Sequence, residues 1–434
     1  MSRVSRKIGF WSVFALVVGS QIGTGVFMMP ASLAPYGAWS IVGWLVSGLG
    51  AIALALVFAK LCSWFPKTGG PHVYVKEAFG VHASFFTGWT YWIISWVSTP
   101  AVIIASIGYL TPLIGVHSPE LHLVLEVILL AFITSLNLRG VKAAGHMEFF
   151  LTLLKIIPLL LMPACALFFF NKSHFIIEPF VAELSPSQII STVSLLTLWG
   201  FIGVESATTP AGSVENPSKI IPRAIIFGTL CVASLYLINS ICIMGVIPGH
   251  SLMVSKAPYA DAARLIFGGS WHIVISVIAS LVCIGTLNAW VLASGQIALG
   301  LAQDGFFPNF FAKKNKNDAP MWSILISSIG ILPLLILTSQ ENMAKQINEI
   351  IDFSVISFLF VYGMSCLAFL KISIFSKKKN YKNLFIGGVA LIFCVCVISH
   401  TPLNTILIAA AFTLLGIPMY IYRYKKLSAL SLKV

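Results

Sequence analysis

The sequence predicts an all-α membrane protein of about twelve transmembrane helices, forming one domain over residues 1–434. Three observations carry this expectation. The chain is 58% hydrophobic and 9% charged with a mean hydropathy of +0.94, too little charge to cover a soluble surface of its size. Apolar runs of about 20 residues, the length that crosses a ~30 Å hydrocarbon core, recur from end to end. With the N-terminus placed inside, 21 of the 27 Lys and Arg fall in inside segments and four outside (Lys172, Lys256, Arg264, Lys345), while Lys60 and Lys155 lie within apolar runs. That bias is the positive-inside pattern; it survives only with an even number of spans, so both termini are expected in the cytoplasm. The formal charge of +13 thus reports orientation in a lipid bilayer, and no nucleic-acid partner is expected.

The spans are taken in order. The first runs from about Ile8 to Pro35 but is punctured by Gly19, Gly23 and Gly25. Its interrupted apolar run lacks a small-residue cleavage site, so it is expected to remain in the mature protein. The second covers Trp39 to Phe65 and ends at a Pro-Lys-Thr-Gly-Gly-Pro turn, the third about Ala83 to Leu110, the fourth Leu121 to Asn137, and the fifth His146 to Phe170. A polar stretch precedes the sixth, which starts near Gln188 and breaks around Gly200 and Gly203. The remaining six are Ala224–Val246, Trp271 to about Leu301, Trp322–Thr338, Glu349–Phe369, Leu384–Ile398 and Thr405–Tyr422. The eight Cys are scattered, mostly inside these runs, and read as small packing residues.

The first and sixth spans open two successive sets of five helices, about 8–170 and 188–370, with two further helices at about 384–423. Both carry mid-span Gly-rich strings, G-S-Q-I-G-T-G (Gly19–Gly25) and W-G-F-I-G-V-E-S (Trp199–Ser206). One such string alone reads equally as a close-packing face. Matched interruptions in two halves point instead to an inverted-repeat solute site, because irregular backbone at membrane depth persists only where protein or a wet cavity satisfies it.

Three groups carry candidate chemistry. The unwound stretch Ser20–Gly25 would present backbone N–H groups beside a half-helix N-terminus, a setting for a carboxylate. Carbonyls near Trp199–Ile202 would suit an ammonium, so the pair would hold an amino acid head group. Glu205 lies in an apolar segment just past the second break; burial penalises its charged form, so it could bind and release a proton, or it could be structural. Lys155 could neutralise Glu205, stand in for a bound sodium ion or carry a proton. Glu126 and Glu148 fall near expected helix ends and read as solvated or interfacial. Trp199, Trp290, Tyr91 and Trp92 lie close to the breaks, where an indole face can hold a cation, whereas Trp11, Trp39 and Trp64 read as interfacial belt. There is no nucleotide P-loop, His/Cys metal cluster or acidic calcium loop, so no cofactor, metal or enzymatic activity is expected.

G-S-Q-I-G-T-G-V-F, F-P-K-T-G-G-P-H-V-Y, L-W-G-F-I-G-V-E-S-A and E-N-P-S-K-I-I-P-R-A resemble the amino acid–polyamine–organocation superfamily over essentially the whole chain. The likeness is closest to the bacterial basic amino acid/polyamine antiporters, in particular those exchanging arginine for agmatine. It implies a LeuT-like fold of two inverted five-helix repeats with broken helices 1 and 6, often as a homodimer, in the bacterial inner membrane. It further implies that Gly23, Thr24 and Gly25 bind the substrate carboxylate. Trp199 would be an occluding gate, the Ile202 carbonyl would take the α-ammonium, and Trp290 would stack on the cationic tail. Glu205 would be a proton-sensitive gate residue. Further matches are Tyr91, Ile94, Ser95 and Thr99 on the third helix, Thr286 on the eighth, and Ser354 and Tyr362 on the tenth. Ser20 and Thr99 stand where the arginine antiporters have Asn, and Ile94 replaces a smaller residue. Lys155 replaces a neutral one, as in the proton-coupled amino acid symporters of the superfamily. The expectation is an antiporter for a cationic amino acid and a related amine, with proton-coupled symport as the alternative. A sensor that binds amino acid without net flux would use the same backbone nest.

Overall fold

The computed structural model describes residues 7–115, 118–255, 257–338, 343–376 and 380–423; the side chains of Thr24, Pro112 and 343–353 lie outside the described part. Among these residues, twelve helices are long and apolar enough to cross a bilayer. Spans 1 to 12 are Phe10–Tyr36, Trp39–Trp64, Pro71–Thr111, Pro119–Asn137, Val141–Phe169, Pro186–Thr208, Pro217–Val246, Trp271–Gln303, Met321–Thr338, Ser354–Ile374, Tyr381–Ser399 and Leu403–Arg423. The only extended pairing among the described residues is an isolated parallel bridge, Ile8 to Val214.

Most boundaries agree with hydropathy, and the departures have local causes. Span 3 begins at Pro71, a residue that fits the first turn of a helix because it has no N–H to satisfy. This first piece carries His72, Lys76 and Glu77, which hide it from a hydropathy reading, and Gly80 (φ 81°) kinks it before the apolar part. A second bend at Ser98 separates Thr99–Ile114 from the rest. Span 6 departs most: after Leu198 it continues only as short tight turns, Trp199–Phe201, Ser206–Thr208 and Ala211–Ser213.

Lipid is as apolar as the side chains, so the spans associate through close packing more than through expulsion of water. Gly43 of span 2 lies against Val193 of span 6, and Gly228 of span 7 against Val17 of span 1. Span 8 is the central post. Its Cys283, Leu287, Ile297 and Leu301 are fully enclosed, and it packs on spans 1, 3, 5 and 9. Spans 11 and 12 are marginal, with Phe385, Leu403 and Tyr422 turned outward.

One end of the bundle is sealed by loops. The turn between spans 2 and 3 docks on the segment after the span 6 break: Gly69 N–H donates to the Thr209 carbonyl (3.0 Å), and Gly212 N–H donates to Thr68 Oγ1 (3.0 Å). The same turn presses on span 8 at Gly300. Beside it Lys76 Nζ donates to Asp304 Oδ1 (2.7 Å), and His72 Nε2 lies 3.3 Å from Oδ2. Ile8 joins this end too, donating to the Ser213 carbonyl (2.9 Å) and accepting from Glu215 N–H (3.0 Å).

This closure carries two expectations. A methyl on Gly300 would lie 2.6 Å from the Gly69 Cα. Gly300→Ala should therefore lower the melting temperature in detergent, at a cost of about 1–3 kcal/mol. Gly363→Ala, with open space around it, should leave the melting temperature unchanged or raise it slightly. For Asp304, burial acts to raise the carboxyl, but the His72 ring and the Lys76 ammonium outweigh it and hold the group at about 2, below its ordinary 3.8. A carboxyl depressed by folding stabilises fully above its unfolded value, and the benefit is lost as pH falls toward the folded one. The melting-temperature advantage of wild type over Asp304→Asn should be constant above about pH 5 and shrink between about pH 4 and pH 2.

Candidate functional site

Span 1 is two half-helices, Phe10–Gln21 and Thr24–Leu33, separated by Ile22 (ψ 96°) and Gly23 (φ −135°, ψ −136°). No side chain caps the second half, so the N–H groups of its first turn remain open toward whatever faces them. Three of the carbonyls at the end of the first half, those of Gly19, Gln21 and Ile22, are met by neighbouring spans. Gly19 O accepts from Lys155 Nζ of span 5 (2.9 Å) and from Thr286 Oγ1 of span 8 (3.0 Å). Gln21 O accepts from Tyr236 Oη of span 7 (2.7 Å), and Ile22 O lies 2.7 Å from Thr286 Oγ1.

The second break lies opposite. Ile202 is extended (ψ 130°) and Gly203 has φ 104°, a conformation that a residue with a Cβ adopts at a cost. A Cβ there would also come 2.8 Å from Ser20 Oγ. Ser20 stitches the two breaks, its hydroxyl lying 3.1 Å from the Gly203 carbonyl and 2.7 Å from Ser206 Oγ. One layer further, Tyr362 Oη accepts from Gly203 N–H (3.1 Å) and donates to Glu205 Oε2 (2.6 Å). The buried Tyr91 hydroxyl faces the same carboxylate.

Between the breaks is a cavity of about 360 Å³, measured between atom surfaces. Seven of the expected residues line it: Ser20, Gly23, Gly25, Trp199, Ile202, Thr286 and Trp290. Gln21, Ser98 and Val102 join them; Gln21 falls within the Ser20–Gly25 string, whereas the sequence signals neither Ser98 nor Val102. Ser98 and Val102 flank the bend of span 3, which hydropathy does not reveal. Gly25 lets the second half of span 1 approach Trp199: a Cβ would lie 3.2 Å from its Cδ1. The Trp290 ring is braced by Phe358, centroids 5.2 Å apart. The lining residues carry no formal charge, so a charged solute would meet dipoles and indole faces. Leu16, Ser206, Thr209 and Ala293 border a narrow gap near the Ser20–Ser206 contact, too tight to hold a water molecule.

The other expected residues lie off the cavity wall. Ile94 is buried, and the hydroxyls of Ser95 and Thr99 turn back on their own helix, donating to the carbonyls of Trp92 and Trp96 (each 2.7 Å). Trp92 is committed to packing, its Nε1 donating to Ser327 Oγ (2.9 Å). Ser354 Oγ is buried without a hydrogen-bond partner among the described residues. Thr24 begins the second half-helix, and its side chain lies outside the described residues.

Three charged groups need correction. Lys155 does not neutralise Glu205; its ammonium lies 3.5 Å from Glu148 Oε1, both side chains being 0% exposed. Glu148 is therefore not solvated, and Glu126 is only 7% exposed. The helix of span 5 begins at Val141, not near His146, which moves Glu148 two turns inside the bundle. The missed signal is the spacing Glu148–Thr152–Lys155, which sets one polar stripe on an otherwise apolar helix. Behind the second break, Tyr362→Phe leaves the Gly203 N–H and one Glu205 oxygen without the partner they now have. It should cost about 1–3 kcal/mol, read as a lower melting temperature in detergent.

These features can be set beside known proteins. The chain is 28% identical over 424 residues to the putrescine transporter PotE of Haemophilus influenzae, covering 97% of this chain and 98% of that one. It is 27% identical over 399 residues to the cadaverine/lysine antiporter of Escherichia coli, covering 90% and 89%. It is 29% identical over 367 residues to the putrescine transporter PotE of Escherichia coli, covering 84% and 83%. The amino acid permease family description matches residues 8–422, nearly the whole of the chain with both of its broken spans, and the protein belongs to that family.

Proposed function

We propose that this permease is an antiporter that exchanges a cationic amino acid for a related amine across the bacterial inner membrane by alternating access. The observation that carries the reading is the meeting of two broken spans at one cavity whose walls offer open N–H groups, carbonyls and two indole faces but no fixed charge. The first-turn N–H groups of Thr24 and Gly25, at the positive end of a half-helix, receive the carboxylate. The Ile202 carbonyl, on which no hydrogen bond ends among the described residues, receives the α-ammonium. Trp290 takes the cationic tail and Trp199 closes over it.

The relatives' names support the substrate class, since putrescine, cadaverine and lysine share an alkyl chain ending in an ammonium. Arginine with agmatine, the pair the motifs favour, has a chain of the same kind that ends in a guanidinium, and so shares the cationic tail. Glu205, bridged by Tyr362 and faced by Tyr91 just past the second break, forms the gate. The sealed end faces the cytoplasm, as the Lys and Arg bias requires. The two five-span units, about 8–170 and 188–370, rock around the site to expose it to either side.

In purified form in liposomes, uptake of labelled arginine or lysine should occur only when the lumen holds arginine, lysine, ornithine, agmatine, cadaverine or putrescine. Uptake into empty vesicles under a pH gradient alone would overturn exchange in favour of proton-coupled symport. Trp290→Leu should raise the half-saturating concentration of the cationic substrate about 30-fold, the equivalent of about 2 kcal/mol of desolvated cation–π attraction. An unchanged value would remove Trp290 from its assigned role.

A further inference from the structure

Behind the span 1 break, away from the solute, lies a second set of buried polar groups. It runs across four spans: Asn137 of span 4, Asn288 of span 8, Glu148 and Lys155 of span 5, and the Gly19 carbonyl of span 1. All four side chains are 0% exposed. Room for them is built into the backbone. A Cβ on Gly19 would lie 1.8 Å from Glu148 Oε1, and one on Gly285 would lie 2.6 Å from Lys155 Cε.

The hydrogen bonds fix which groups give and which receive. Asn288 Nδ2 donates to the Ala144 carbonyl (3.1 Å), which can only accept, so its amide orientation is set. The other Nδ2 hydrogen then points to Glu148 Oε2 (2.8 Å), while Asn288 Oδ1 accepts from Asn137 Nδ2 (3.1 Å). Asn137 Nδ2 is itself oriented by the Ile133 carbonyl (3.0 Å). Glu148 thus receives donors on both oxygens, from Asn288 and from Lys155, which is the arrangement of a carboxylate. The Lys155 ammonium spends its three hydrogens on Glu148, the Gly19 carbonyl (2.9 Å) and Thr286 Oγ1 (3.2 Å). Thr286 lines the solute cavity, so the ammonium is one hydroxyl away from the transported molecule.

An ammonium enclosed in an apolar interior persists only with a counter-charge and full hydrogen bonding. The other titratable group facing Lys155 is Cys283 of span 8, with Tyr109 behind it. From span 1 the neighbour is backbone, and from span 4 the relay delivers a neutral amide. We propose that Glu148 is a positioning residue that keeps Lys155 charged, making the ammonium a fixed cation beneath the span 1 break rather than a proton carrier. The pair adds no net charge beside the cavity and holds the Gly19 carbonyl and Thr286 in place while solutes change. The proposal deepens the exchange reading and rests on it.

The test compares wild type, Glu148→Gln, and Glu148→Gln combined with Lys155→Met over about pH 6 to 9, where an uncompensated buried lysine titrates. Melting temperature in detergent, without solute, is the first readout. Wild type and the double variant should be flat. Glu148→Gln should become more stable as pH rises, because folding then disfavours the protonated lysine. Exchange of labelled arginine for internal arginine is the second readout: Glu148→Gln should lose activity by about tenfold per pH unit on its alkaline limb, the slope of one proton. Opposite pH trends in stability and transport are not produced by simple loosening of the fold. If Glu148→Gln fails to fold, a double variant that folds with a flat profile supports the pair, and a double variant equally unstable overturns it. A Glu148→Gln profile parallel to wild type in melting also overturns it. Because melting needs no solute, this result stands apart from success or failure of exchange.

Discussion

The structure depends on one constraint: backbone groups released by a broken helix at membrane depth must find partners, because no water is there to serve them. Span 1 stops hydrogen bonding to itself at Ile22 and Gly23, and the carbonyls of Gly19, Gln21 and Ile22 are claimed by other spans. Lys155 serves Gly19, Tyr236 serves Gln21, and the single hydroxyl hydrogen of Thr286 lies nearest to Ile22, with Gly19 also in reach. Spans 5, 7 and 8 are thereby positioned around the break, and span 8 also joins spans 1, 3 and 6 in lining the cavity. The N–H groups on the far side of the break are treated differently: no side chain caps them, and they start the half-helix at the cavity wall.

The second break obeys the same rule with fewer partners. Gly203 turns through a conformation that leaves its N–H to Tyr362 and its carbonyl to Ser20. Because Ser20 belongs to the first break, the two irregular segments are each other's partners as well as facing walls. The Glu205 carboxylate sits directly behind this contact, held by the hydroxyl that also serves Gly203.

Much of this was legible in the residues, and the rest was not for definite reasons. Hydropathy reports the twelve spans because each must cross the same thickness of hydrocarbon. The Gly-rich strings report where spans 1 and 6 break. The path of the chain beyond a break is less legible: the Trp199–Ser213 segment carries helical residue types yet folds as separate tight turns. Hydroxyl direction is also silent in sequence, so Ser95 and Thr99 look like site residues but bond to their own helix. Lys155 is conspicuous, but its partner depends on where span 5 starts. The extra helix ahead of His146, from Val141, turns Glu148 from an apparent terminal residue into an enclosed one.

The parallel bridge between Ile8 and Val214 has a mechanical meaning. It ties the chain just before span 1 to the chain just after the span 6 turns with two hydrogen bonds, Ile8 to Ser213 and Glu215 to Ile8. Such bonds weaken steeply once donor and acceptor separate by more than a few tenths of an ångström beyond contact. Neither strand can swing outward at this end without either towing the other or breaking both links. The two broken spans are joined twice, by Ser20 in mid-membrane and by this clasp at the rim. They behave as a yoked pair of levers on the sealed side, with the half-helix Thr24–Leu33 beyond the Ser20 joint outside the yoke.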